Sequence, residues 1–132
     1  MRVLPAVMGL LVLTPALRAD DPAAKPLPPV EARKHVGRKV TVQMLVKASK
    51  NRLERHKEIY LDSETDYRDA KNMAVVINEE GAARFKKAGI DEPAGYFKGK
   101  TIRVTGTVTL DRDRPRVVVS DPAQIRVAEK KD

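Results

Sequence analysis

Residues 101–119 read Thr-Ile-Arg-Val-Thr-Gly-Thr-Val-Thr-Leu-Asp-Arg-Asp-Arg-Pro-Arg-Val-Val-Val. In the first ten, Ile102, Val104, Gly106, Val108 and Leu110 alternate with Thr101, Arg103, Thr105, Thr107 and Thr109. A period of two places the first set on one face of a β-strand and the second on the other. The short charged stretch Asp111–Arg114 then reads as a hairpin turn, and Arg116–Val119 as the returning strand. Beyond it Asp121-Pro122 turns the chain, and Ile125–Ala128 closes as a short edge segment.

Working back towards the N-terminus, Asp91–Gly99 is rich in turn residues. It follows a helix whose ends are both signalled. Asn78 can cap it, Glu79 and Glu80 suit its first turn, and Lys86 and Lys87 suit its last. Gly89 stands where a left-handed cap belongs. The apolar side, Ala82, Phe85 and Ala88, is short, so this helix plugs an opening and does not build a bundle. Upstream, the unbroken apolar run Met73–Ile77 predicts a strand buried on both faces. Glu58–Leu61 is a short strand, and the acidic Asp62–Asn72 joins the two as a loop. Lys39–Ala48 alternates apolar and polar residues with one break at Leu45, and Ser49–Lys57 reads as a polar loop.

The order is three strands, a helix, then two strands. That is the order of a five-stranded OB-like barrel, an all-β fold with one helix between strands three and four. The segments Val36–Val46, Tyr60–Ile77 and Tyr96–Val127 resemble exported bacterial OB-fold domains of the nucleic-acid-binding-like type. The resemblance implies a ligand face around strands two and three, flanked by the loops that join strands one and two and strands four and five. It implies no particular ligand, because this fold hosts many unrelated functions.

At 132 residues the chain has room for one such domain. With two Phe, three Tyr and no Trp, its core must come mainly from Val, Ile, Leu and Ala. Residues 1–19 stand apart. Arg2 precedes the apolar run Val3–Leu17, and Ala16-Leu17-Arg18-Ala19 ends before Asp20-Asp21, the pattern of a secretory signal. The run is interrupted by Pro5 and Pro15 and is shorter than the roughly 20 apolar residues of a membrane span. The expected organisation is a signal peptide over 1–19, a Pro/Ala-rich linker over 20–32, the barrel domain over 33–128 and a polar tail over 129–132. The protein is expected to be exported to the periplasm or beyond, with no membrane attachment once the signal is removed. The absence of Cys excludes a disulfide framework and a lipid-anchored cysteine.

Charge is concentrated. Residues 31–57 hold nine Lys or Arg against Glu31 and Glu54, more than the whole net charge of the chain from residue 20 onward. In the expected loop these are Lys47, Lys50, Arg52, Arg55 and Lys57; the hairpin beyond strand four adds Arg112, Arg114 and Arg116. Two basic segments on one rim would follow a phosphate backbone, with Tyr60 or Tyr67 able to stack on a base. The same charges would also serve as a solvated surface. In the acidic loop Asp62–Asp69, oxygen ligands alternate as in a calcium loop, but Tyr67 replaces the central glycine and Met73 the bidentate carboxylate. His35 and His56 lie in polar, basic surroundings without a flanking catalytic motif, and no Cys is available as a nucleophile. The expectation is therefore a protein that is not an enzyme and has no cofactor. Its partner is single-stranded nucleic acid or another polyanion; the alternative is a protein partner, in an envelope interaction or structural role.

The processing expectation is tested by intact mass. The exported protein should begin at Asp20, and recovery of the full chain from a membrane pellet would contradict it.

Overall fold

The protein is represented by a computed structural model that describes residues 25–128. The expected signal segment and polar tail lie outside the described residues. Seven strands form one mixed sheet: β1 (Lys39–Leu45), β2 (Ala48–Arg52), β3 (Glu58–Asp62), β4 (Ala74–Asn78), β5 (Thr101–Asp111), β6 (Arg114–Val119) and β7 (Ile125–Val127). The path runs β1-β5-β6-β4-β3-β2, with β7 added on β5. Neighbours are antiparallel except β4 and β6, which are parallel.

This order is OB-like, but the expected five-stranded barrel is corrected: the described sheet has seven strands. The hydrogen-bonded path is open between its ends, β1 and β2, which only Val46 and Lys47 separate in sequence. The expected first strand is broken there for a local reason. The Val46 N–H donates to the Lys100 carbonyl and its own carbonyl accepts from Gly99 N–H, at 2.9 and 2.8 Å. One residue later the Lys47 N–H donates to Asp62 O at 3.0 Å. The chain thus leaves β5 and takes up β3. Ser49–Lys57, expected as a loop, is instead β2 followed by a helical turn, α1 (Leu53–His56). Asn51 Oδ1 accepts from Leu53 N–H at 2.9 Å, and Lys57, at φ 62°, ends the turn.

The inward residues of the strands build the core. Val40, Val42 and Met44 of β1 face Ile102 and Val104 of β5, and Ile59, Leu61, Val75, Ile77, Val117 and Val119 complete it. Val76 is also fully buried, on the opposite side of β4, as the unbroken apolar run predicts. Leu110, expected on the buried face, is 44% exposed. There β5 has run past the end of β1 and pairs only with β6. The hairpin tip carries Arg112 and Asp113 at φ 54° and 66°, the two positive angles of a tight turn matched to strand twist.

Helix α2 (Glu79–Lys87) forms as its end signals predict. Asn78 Oδ1 accepts from Gly81 N–H at 2.8 Å, and Gly89 adopts φ +95°. Gly81 lies so close to β6 that a Cβ there would sit 2.5 Å from the Val119 carbonyl, which fixes this residue as glycine. The expected turn region after α2 holds a further helix, α3 (Pro93–Phe97), started by Pro93 and buried through Ala94 and Phe97. The rings of Phe97 and Phe85 meet edge-on at 5.6 Å. The described part of the expected linker is also ordered against the domain. Leu27 pairs with β1 through Thr41 O and Gln43 N, and a 3-10 helix, Pro29–His35, buries Ala32. Proline suits both, as a residue outside the ladder and as the first residue of a helix.

Val104 is fully buried, whereas Thr107 on the same strand is exposed. Val104→Asp should remove several kcal/mol of stability, most of a small domain's margin, while Thr107→Asp should be mild. Equal melting temperatures for the two variants would contradict this strand phase.

Candidate nucleic-acid interface

The register of β2, β3, β4 and β6 determines which side chains share the outward face. Lys50, Tyr60, Val76 and Val118 are successive partners across the four strands. Two residues away on either side lie the parallel rows Ala48, Asp62, Ala74, Arg116 and Arg52, Glu58, Asn78. The row between the first two, Leu61, Val75 and Val117, points into the core. Strands about 4.8 Å apart make the face roughly 14 Å wide from β2 to β6.

Tyr60 stands at the centre. Its hydroxyl donates to Glu58 Oε1 at 2.6 Å, and Glu58 Oε2 lies 3.8 Å from Arg116 Nη1. Burial, then the Glu58 hydrogen bond and charge, push the phenol up to about 12, against the opposing pull of Arg116 and Arg52. Arg116 also donates to Asp111 Oδ2 at 3.0 Å. Asp62 is nearly covered, and burial raises its carboxyl above the ordinary value; Asn72, which donates to Oδ1 at 3.0 Å, and the Lys50 and Arg116 charges work against that rise. Arg116 thus acts on both Tyr60 and Asp62, Arg52 on Tyr60 and Lys50 on Asp62.

The remaining expected residues are distributed unevenly. Lys47 is held by Glu64 of the acidic loop at 3.4 Å and Lys57 by Glu79 at the start of α2 at 3.6 Å, so both are engaged by carboxylates of neighbouring elements. Arg55 is exposed on α1 and Arg112 at the hairpin tip, and neither makes an ion pair among the described residues. Arg114 lies over the Tyr67 ring at 5.2 Å, which ties the acidic loop to the hairpin. Tyr67 itself is 56% exposed and lies in that loop, away from the strand row of Tyr60.

The acidic loop is folded upon itself. Asp66 accepts from Arg68 through both carboxylate oxygens, Asp69 Oδ1 accepts from Lys71 N–H at 2.8 Å, and Asn72 pins Ser63 and Glu64. The Arg68 hydrogen bonds hold the Asp66 carboxyl below the ordinary value. Among the described residues no three His, Cys, Asp or Glu gather where they could hold a metal ion. Sequence reasoning missed Glu58 and Asp62 as members of the cationic face. Their signal was available, because Glu58, Tyr60 and Asp62 alternate along one strand and must share a side.

No family model matches the sequence, and no curated protein matches it. Solved structures do resemble the fold. The asparaginyl-tRNA synthetase from Pyrococcus horikoshii complexed with asparaginyl-adenylate superposes with a TM-score of 0.53 at 19% identity, over 78% of this chain and 22% of that one. A protein assigned as an aspartyl-tRNA synthetase from Leishmania major Friedlin gives 0.51 at 13% identity, over 93% of this chain and 25% of that one. This chain thus spans about a quarter or less of those proteins, and at such identities the likeness is one of fold.

The raised Asp62 carboxyl has a stability consequence. A folded-state value above the unfolded one favours the protonated form, so that contribution is present at low pH and lost as pH rises through the folded value. Asp62→Asn, which keeps an acceptor for Asn72, should stabilise the protein at pH 7 and lose its advantage below the ordinary carboxyl value of 3.8. Urea unfolding of both proteins across that range checks it; a less stable variant at pH 7 would show that Lys50, Arg116 and Asn72 outweigh burial.

Proposed function

We propose that this chain is an exported, non-catalytic OB-like module that binds single-stranded nucleic acid or a closely similar polyanion. The observation that carries the reading is the convergence of Lys50, Arg52 and Arg116 around Tyr60 on the outward face of β2, β3, β4 and β6. A cationic track beside an aromatic ring is what a sugar–phosphate chain with unstacked bases requires: cations neutralise phosphates, and the ring offers a face to any base. Arg55 lies towards one end of this track and Arg112 and Arg114 towards the other. The resemblance of fold to parts of two aminoacyl-tRNA synthetases is consistent with a nucleic-acid ligand.

One observation favours a second reading. Glu58, Asp62 and Asp111 interleave with Arg116 and Lys50, so the face is a mosaic of both signs. A protein partner of complementary pattern would fit such a mosaic, as an envelope interaction domain requires. An oligonucleotide separates the two. Binding that neutralises phosphates releases counterions and loses affinity steeply with salt, independently of base sequence, whereas a face built for a protein partner of both signs holds no oligonucleotide at low salt.

With about four phosphates neutralised, the logarithmic salt slope for a single strand should be about −2.8, a loss of roughly fifty-fold between about 50 and 200 mM salt. Lys50→Ala with Arg52→Ala should flatten the slope by about 1.4. Tyr60→Ala should weaken binding by about 1–3 kcal/mol at every salt concentration. Fluorescence anisotropy with a labelled oligothymidylate reads all three, and no binding by folded protein at low salt would overturn the nucleic-acid reading.

A further inference from the structure

The outward face of β5 carries a second feature. Where β6 and β7 diverge along β5, an open groove of about 700 Å³ lies between the threonine side of β5 and the 3-10 turn Pro122–Gln124. Gln124 holds the parting open, its Nε2 donating to Thr105 O at 3.0 Å and to Val118 O at 3.1 Å. The groove is lined by Thr105, whose hydroxyl shares a hydrogen bond with Thr41 at 2.8 Å, by Thr107 and Thr109, and by Lys39, Arg103 and Arg126.

The arginines are the informative pair. Arg103 and Arg126 are direct cross-strand partners in β5 and β7, and like charges facing one another in a sheet are destabilising. Arg103 Nε donates to Gln43 Oε1 at 2.7 Å, a neutral group, and neither arginine forms an ion pair among the described residues. The acid lining this groove, Asp121, is committed to Arg84 at 3.2 Å and to the N–H of Ala123 at 3.0 Å. Two opposed guanidiniums above a row of hydroxyls form a site for an anion that also carries polar oxygens. Among the described residues no aromatic side chain lines the groove, so nothing there would stack on a base. Val118 belongs both to this groove and to the row of Tyr60 and Val76, so the two surfaces are continuous.

We propose that this groove is the second half of the same single-strand interface, gripping phosphates and sugars through Arg103, Arg126 and the β5 threonines while bases are read only near Tyr60. The proposal rests on the nucleic-acid reading above. Its continuity with the Tyr60 face favours a phosphodiester chain over an acidic glycan. By strand geometry Arg103 lies about 20 Å from Tyr60 itself, so the groove matters only for ligands long enough to reach it.

The test compares oligothymidylates of about 4 and about 12 nucleotides, which fall within the range of site sizes for one OB domain. Arg103→Gln with Arg126→Gln should leave the short strand bound as in wild type. For the long strand it should flatten the salt slope by about 1.4, so that wild type loses about seven-fold more affinity than the variant between about 50 and 200 mM salt. Lys50→Ala with Arg52→Ala should weaken both lengths. Exposed Arg126→Gln alone serves as a second variant, with about half the change in slope and a melting temperature no lower than wild type. Unchanged long-strand binding in the arginine variants overturns the groove proposal and leaves the Tyr60 face standing. No binding of either strand by wild type, or binding of polygalacturonate alone through the arginine pair, overturns both.

Discussion

Between Leu45 and Ala48 the backbone exchanges one set of hydrogen-bonding partners for another, and the architecture depends on that exchange. Val46 is tied to the segment that enters β5, through Lys100 O and Gly99 N, while Lys47 is tied to Asp62 at the end of β3. Gly99 makes this possible at φ +85°, an angle that side-chain-bearing residues rarely adopt. Because consecutive strands go to opposite ends of the path, the sheet wraps round its own core of Val, Ile and Leu. The same bend sends Lys50 and Arg52 along β3, beside Tyr60, where a straight first strand would not have carried them.

The outward face that results is less basic than its list of Lys and Arg implies. Lys47, Lys57 and Arg116 are each engaged by a carboxylate, and Asp62 is nearly covered beside Asn72. Surface ion pairs of this kind are worth little in stability, typically below about 1 kcal/mol. Their effect on a ligand is larger, since an approaching phosphate must compete with them for the cation. On the proposed reading, a face of this composition gives a modest, salt-sensitive grip on a polyanion and not tight recognition of one sequence.

Much of this was legible in the sequence, and the failures have physical causes. The β5–β6 hairpin followed from strict alternation, and α2 from Asn78 at one end and Gly89 at the other, because those signals are local. The strand β2 escaped notice because Ser49, Lys50 and Asn51 are polar, and an edge strand half exposed to water needs no apolar pattern. Its hydrogen bonds come from β3, beyond a helical turn that no run of residues announces. The helix α3 was hidden by Pro93 and Gly95, which read as turn residues when Pro93 in fact starts the helix. In the candidate site the cations were visible and their partners were not. Lys47–Glu64 and Lys57–Glu79 join loops and elements that only the folded chain brings together, whereas Glu58 and Asp62 could have been placed beside Tyr60 by alternation alone.

The central claim is spatial: that a single strand lies on the outward face of β2, β3, β4 and β6. Titration of the isotopically labelled protein with an oligothymidylate, followed by amide and side-chain NMR shifts, tests it directly. The account predicts the largest shifts at Lys50, Arg52, Tyr60 and Arg116, with Val118 following. Shifts confined to α2 and α3, with β2 and β3 silent at saturation, would contradict it.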